Sequence, residues 1–181
     1  MRFKITKYKI ISIILFSIYI GLFVGFVCMA LADSQKSTDT SSVVMDVVVD
    51  VVEAVTPSDY VVNKEKVSLF TRKVIGHFGY NVLMGMVLMF AIYFLFRKDS
   101  FIYENKKYLY NYGIIAILGS LLIAIISELL QLIPEGRSCE FKDMLIDYSG
   151  AVFGIIISFI ILLICFKIKH KKECKEIDNV R

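Results

Sequence analysis

The sequence predicts an all-α membrane protein with four transmembrane helices and one further amphipathic helix outside the bilayer. Hydrophobic residues make up 57% of the 181 residues, and only two residues are proline. This composition is more apolar than that of an ordinary soluble domain. A helix of about 20 apolar residues, at 1.5 Å per residue, crosses a hydrocarbon core of about 30 Å. Apolar runs of this kind cover residues 10–31, 74–96, 110–133 and 144–166.

The chain divides into three parts. Residues 1–39 contain a basic segment and the first span, residues 40–166 form a membrane domain, and residues 167–181 form a basic cytoplasmic tail. Near the end of the first span, Ala30 and Ala32 form an Ala-x-Ala pattern typical of a signal-peptidase site. The apolar run before this pattern is about 20 residues, whereas a cleaved signal usually has about 7–15. We therefore expect the first span to be retained, with a cleaved signal as the alternative.

Positive charge beside the spans predicts the orientation. The N-terminus "MRFKITKYK", the link "RKDSFIYENKKY" between spans two and three, and the tail "KIKHKKECK" are all basic. The other two connections are mixed or balanced in charge. Because Lys and Arg beside spans favour the cytoplasm, we expect a multi-pass protein of the cell membrane with both termini cytoplasmic. The net charge of +4 is explained by these topology signals, and we expect no nucleic-acid partner.

The long external connection, residues 33–72, contains the valine-rich stretch "VVMDVVVDVVEAV" at residues 43–55. Its acidic residues Asp46, Asp50 and Glu53 are spaced i, i+4, i+7, which places them on one face of a helix. We expect an amphipathic helix that lies on the outer membrane surface or packs across the mouth of the bundle.

Spans two, three and four each carry a stripe of polar and small residues toward the end predicted to be outside. A charge at mid-bilayer costs about 2.5–3.5 kcal/mol on insertion scales, so such groups usually face a bundle interior or water. The three stripes therefore predict the lining of one outward-facing pocket. In chain order the stripes are Lys73, His77, Tyr80, Asn81 and Met84; Ser120, Ala124, Ser127, Glu128 and Gln131; and Asp143, Asp147, Gly150, Gly154 and Ser158.

The candidate binding residues are the charged and amide side chains of these stripes together with an arginine from the loop after span three. We expect this arginine, Arg137, to pair with Asp143 or Asp147. The spacing of Gly150 and Gly154 is typical of close helix packing in lipid, which indicates that span four is a central packing helix. The complete set of candidate binding residues is Lys73, His77, Glu128, Gln131, Arg137, Asp143 and Asp147.

Two blocks of sequence, "KVIGHFGYNVL" and "SELLQLIPEGRSCEFKDMLIDYSGAVFG", resemble the VanZ-like family of membrane proteins. That family has a Lys…His-Phe block at a helix start, Ser-Glu-x-x-Gln before a short loop with Pro and Arg, and two spaced acidic residues before a glycine-containing helix. The resemblance covers about residues 40–166. The matching positions are Lys73, His77, Phe78, Ser127, Glu128, Gln131, Arg137, Asp143, Asp147, Gly150 and Gly154.

The founding member of this family is associated with low-level resistance to the glycopeptide teicoplanin. The resemblance therefore implies a protein of the cell envelope with a role in antibiotic resistance. Its partners would be membrane lipid and, at the polar pocket, a lipid head group, a lipid-linked cell-wall precursor or a glycopeptide. Lys73 and Arg137 would meet phosphate or carboxylate groups of such a ligand.

Two alternatives to a non-catalytic binding protein remain open. One is an intramembrane enzyme acting on a lipid-linked substrate, with His77, Glu128 and Asp147 as catalytic groups and His77 as general base. These side chains with Asp143 are also suitable metal ligands, but without a compact motif such as HExxH we expect neither a metal nor a cofactor. The other alternative is a structural role, in which the polar groups only pair with one another.

Overall fold

The computed structural model describes residues 6–31, 72–97, 106–133 and 141–180, with a few isolated residues between positions 47 and 70. The described part of the chain is helical and contains no strand, so the predicted fold class is confirmed. The helices are α1 (Lys7–Leu31), α2 (Tyr80–Phe96), α3 (Lys106–Leu130) and α4 (Phe141–Val180). Among the described residues, four segments are long and apolar enough to cross a membrane: Lys7–Cys28, Lys73–Phe96, Tyr108–Leu130 and Phe141–Ile168.

The amphipathic helix predicted at residues 43–55 lies mostly outside the described residues. Val47, Val48, Asp50 and Val51 are described, and they are helical. The basic tail, residues 167–181, continues α4 as helix as far as Val180.

The second span begins with a π-helical segment, Arg72–Gly79, which continues directly into α2. A π-helix closes its hydrogen bonds from residue i to i+5, and such segments are rare and often lie at functional sites. This one carries Lys73 and His77, two of the candidate binding residues. The wider turns of this segment therefore affect the directions in which the side chains of Lys73 and His77 project from the helix axis.

Helix α1 packs against α2 in the antiparallel direction, and two hydrogen bonds join the helices. The hydroxyl of Ser12, which is fully buried, donates to the carbonyl oxygen of Ala91 over 2.9 Å. The hydroxyl of Tyr80 donates to the carbonyl oxygen of Leu22 over 2.6 Å. Such bonds across membrane helices contribute about 0.6 kcal/mol each on average. The first span is therefore attached to the bundle near both of its ends.

Helices α2 and α4 run in parallel and touch through their backbones. A Cβ atom added to Gly85 would overlap the backbone of Ala151, and one added to Gly154 would overlap the carbonyl group of Val82. A Cβ atom on Gly150 would lie 2.5 Å from a backbone oxygen of the π-helical segment. Only glycine fits at these three positions, so the close packing predicted from Gly150 and Gly154 is confirmed.

Helix α3 runs antiparallel to both α2 and α4. Phe96 at the end of α2 stacks on Tyr112 near the start of α3, with ring centroids 5.5 Å apart. Tyr110 lies against Phe159 of α4 at 5.2 Å. These directions bring the start of the second span, the end of the third and the start of the fourth to one end of the bundle. The three polar stripes therefore lie toward the same end of the bundle.

We predict that Gly154→Ala destabilises the protein, because the added methyl group must push α2 and α4 apart. Overpacking of this kind typically costs about 1–3 kcal/mol. The expected result is a lower thermal unfolding midpoint in detergent, measured by the loss of monodisperse protein on heating.

The matched control is Gly21→Ala in α1. A Cβ atom there has no neighbour within 4 Å, and alanine is a better helix former than glycine by about 1 kcal/mol. We expect the control variant to unfold at the same temperature as the wild type or higher. Equal midpoints for the two variants would contradict close α2–α4 contact.

Candidate functional site

The outer part of the site is an ion pair between the π-helical segment and α4. The Nζ atom of Lys73 lies 3.0 Å from Oδ1 of Asp143. The lysine side chain is 34% exposed and the aspartate side chain 12%. Asp143 lies in the first turn of α4, where a negative charge is favourable because the helix dipole is positive at its N-terminus.

The inner part of the site lies one helical turn deeper and centres on Asp147, which is 1% exposed. Its Oδ1 atom lies 3.0 Å from Nδ1 of His77 and accepts a second hydrogen bond, also 3.0 Å, from the side-chain amide of Asn81. The same amide nitrogen donates to the backbone oxygen of His77 over 2.9 Å. His77 is thereby held by Asp147 at its ring and by Asn81 at its backbone.

This contact orients the imidazole ring. A neutral histidine that donates from Nδ1 to a carboxylate carries its lone pair on Nε2. The edge of the ring also meets Phe26 of α1, with ring centroids 5.8 Å apart. The histidine, which lies in the π-helical segment, is therefore held between α1 and α4.

The third span contributes a buried polar stripe to the same end of the bundle. Glu128 is 2% exposed, and Gln131 donates to its Oε1 atom over 3.4 Å. Ser120 and Ser127 turn their hydroxyl groups to backbone oxygens three residues earlier in their own helix. The predicted inward orientation of this stripe is confirmed, since Glu128, Gln131, Ser120, Ser127 and Ala124 are all buried.

The structure joins four of the seven candidate residues in pairs between the second and fourth spans, Lys73 with Asp143 and His77 with Asp147. Glu128 and Gln131 pair with each other on α3. Arg137 and its predicted pairing with Asp143 or Asp147 lie outside the described residues.

Two residues of the second span differ from the prediction. The sequence predicts Asn81 on the polar stripe but not among the binding residues, and in the structure it donates directly to Asp147. Its spacing four residues after His77 was the signal that could have identified it. Tyr80, predicted on the same stripe, instead faces α1, where it bonds to Leu22 and stacks on Phe26.

Metal binding was an alternative for the carboxylates and the histidine. Within residues 6–31, 72–97, 106–133 and 141–180 and the isolated residues that are described, no group of three or more His, Cys, Asp or Glu side chains is arranged to hold a metal ion. The contacts that are present are charge-assisted hydrogen bonds, which are short and roughly twice as strong as neutral ones.

Comparison with known proteins gives one family. A family model described as VanZ/LLP1 matches residues 16–163, from within α1 to within α4. No curated protein and no solved structure matches the chain.

We predict that His77 and Asp147 are energetically coupled more strongly than Lys73 and Asp143. A double-mutant cycle with alanine at the inner pair should give a coupling free energy of about 1–3 kcal/mol. The outer pair is partly exposed and should give less than about 1 kcal/mol. Thermal unfolding of the single and double variants in detergent measures both values. Equal coupling at the two pairs would show that the inner contact is not the stronger one.

Proposed function

The chain belongs to the VanZ/LLP1 family, and on that premise we propose that this membrane protein binds the polar head of an amphiphile at the polar end of its bundle. The head belongs to a lipid, a lipid-linked cell-wall precursor or a glycopeptide such as teicoplanin. Its binding residues are those proposed from the sequence, with Asn81 added: Lys73, His77, Asn81, Glu128, Gln131, Arg137, Asp143 and Asp147.

The observation that supports this proposal most strongly is the burial of ionisable groups inside a membrane bundle. Asp147 is 1% exposed and Glu128 2%, and two carboxylates with such burial are costly for a protein in lipid. They lie on different helices that converge at one end. Ionisable residues within transmembrane segments commonly mark a pathway or a site. Here we propose a binding site that contains both positive and negative groups.

The chemistry of these groups suits a polar head group. The side chain of Lys73 is one-third exposed and pairs with Asp143. Its ammonium group would also meet phosphate or carboxylate oxygens at the mouth of the site, and Arg137 would add a bidentate donor. The carboxylates and Gln131 suit hydroxyl, amide and ammonium groups. The many exposed isoleucine and leucine side chains along the helices would contact the acyl chain of the same ligand, since both lie in the hydrocarbon layer.

The orientation follows from the distribution of positive charge. Both termini lie in the cytoplasm, so the polar end of the bundle opens to the cell exterior, where glycopeptides and cell-wall precursors are met. A protein with this site in the cell envelope would alter the access of teicoplanin to its target, which is the form of antibiotic resistance that the family resemblance implies.

One contact favours a second candidate function, an intramembrane enzyme acting on a lipid-linked substrate. A histidine held by a carboxylate through Nδ1 is the arrangement in which Nε2 acts as a general base. The 3.0 Å contact between His77 and Asp147 has this form. In such an enzyme, Asp147 would orient the base and Glu128 would be a further candidate for proton transfer.

We predict that Glu128→Gln and Arg137→Ala reduce ligand binding while the protein still reaches the membrane. Loss of one charged hydrogen bond to a ligand lowers affinity by about tenfold or more. The measurements are membrane abundance, the amphiphiles that co-purify by native mass spectrometry, and the susceptibility of the cells to teicoplanin.

The control for these variants is Asn111→Ala, an exposed polar residue in α3 far along the helix from Glu128. We expect the control to keep its co-purified amphiphile and its phenotype. Loss of the protein itself in the Glu128 and Arg137 variants would support the structural role instead, and unchanged binding in both would contradict the proposed site.

We also predict the orientation of the bundle in the membrane. In a background with Cys28, Cys139, Cys165 and Cys174 replaced by serine, Lys142→Cys should react with a membrane-impermeant thiol reagent on intact cells. Lys171→Cys should react only after permeabilisation. Both positions are exposed and both lie on α4, so the pair differs only in the end of the helix that it marks. The reverse pattern would place the polar end in the cytoplasm.

A further inference from the structure

The second carboxylate oxygen of Asp147, Oδ2, is the group from which we infer the chemical class of the ligand. We propose that Oδ2 accepts a hydrogen bond from a protonated primary amine of the bound amphiphile. This inference rests on the proposed function and adds to it the identity of one recognised group.

The two oxygens of Asp147 have different surroundings. Oδ1 is contacted by His77 and Asn81. Oδ2 is buried and has no hydrogen-bond partner among the described residues. A buried acceptor without a donor is destabilising, and more so when the group is charged. A donor from a ligand would remove this cost, so the oxygen is a site at which binding gains free energy.

The charge around Asp147 favours a cationic donor over a neutral one. Neither His77 in its neutral form nor Asn81 carries a positive charge. The lysine in this part of the site, Lys73, contacts Asp143, one turn away from Asp147. An ammonium group would add a positive charge beside Asp147, and it has three N–H donors to offer.

The position of Asp147 also fits a slim group such as a primary amine. The carboxylate lies four residues, or about 6 Å along the helix axis, beyond Asp143 at the start of α4. Lys73, which is partly exposed, lies nearer that end of the bundle than Asp147 does. A primary amine presents an N–H bond at the tip of a chain, whereas a trimethylammonium group is wider and has no N–H bond.

The test uses four amphiphiles with the same ten-carbon chain and different heads: decylammonium, decanol, trimethyldecylammonium and decanoate. Each is titrated against the full-length protein in neutral-lipid nanodiscs, and binding is followed by native mass spectrometry. We expect decylammonium to bind about tenfold or more tightly than decanol, because it makes a charged hydrogen bond. Trimethyldecylammonium and decanoate should show no such advantage.

The variant that tests the assigned residue is Asp147→Asn, which removes the charge and keeps the shape. In this variant we expect the preference for decylammonium over decanol to disappear, whereas Asn111→Ala should keep it. If Asp147→Asn fails to fold, Asp147→Glu supplies the second test. It keeps the negative charge but moves the carboxylate by one methylene group, and it should weaken the preference for the amine.

Two further arms separate the natural sources of such an amine. Nanodiscs of phosphatidylcholine containing phosphatidylethanolamine test the amine of a phospholipid head. An acylated peptide with a free lysine side chain tests the amine of a lipid-linked peptide. Whichever competes with decylammonium identifies the source.

The outcomes distinguish this inference from the proposed function. Equal affinity of the wild type for decylammonium and decanol, with binding of both weakened by Glu128→Gln, would overturn the amine and leave the head-group site standing. If all four amphiphiles bind and no substitution at the polar end alters their binding, both the amine inference and the proposed head-group site would be overturned.

Discussion

The contact between the backbones of α2 and α4 is the constraint on which the site depends. With glycine at positions 85, 150 and 154 the two parallel helices approach until their backbones touch. At this separation, residues 70 positions apart in the chain face each other: His77 meets Asp147, and Lys73 meets Asp143. Side chains as short as aspartate and asparagine reach their partners only because the helix axes are so close. The glycines thus set the spacing of the helices that carry the polar groups.

The buried polar groups in turn restrict which residues the helices can carry, because each such group needs a hydrogen-bond partner. Lipid cannot supply hydrogen bonds, so each buried polar group must find its partner within the protein or a ligand. Ser12, Ser158 and Tyr80 meet this demand with backbone oxygens of neighbouring helices. Asp147 and Glu128 meet it in part, through side-chain contacts at Oδ1 and Oε1. Polar contacts therefore serve two purposes here. Hydrogen bonds along the bundle join helices, and the contacts at its polar end position the side chains of the proposed site.

The sequence was sufficient to predict the four spans and the inward stripes, because both depend on composition and periodicity within one helix. Glu128 and Gln131 are buried as the stripe on α3 required. Periodicity did not show the π-helical segment, since a change in winding over Arg72–Gly79 leaves no mark on the pattern of polar residues. Nor did it identify Lys73 as the partner of Asp143, because a stripe gives the face of a helix and not its axial position relative to a neighbour.

The two hydrogen bonds that α1 makes with α2 have a consequence for the maturation of the protein. Ser12 and Leu22 lie well before the Ala30-x-Ala32 pattern, and each is joined to the second span. A protease that cut the chain after Ala32 would break one peptide bond and leave these contacts intact. The product would be a nicked protein whose amino-terminal fragment stays docked in the bilayer, so removal of a leader by proteolysis and release of that leader would be separate events.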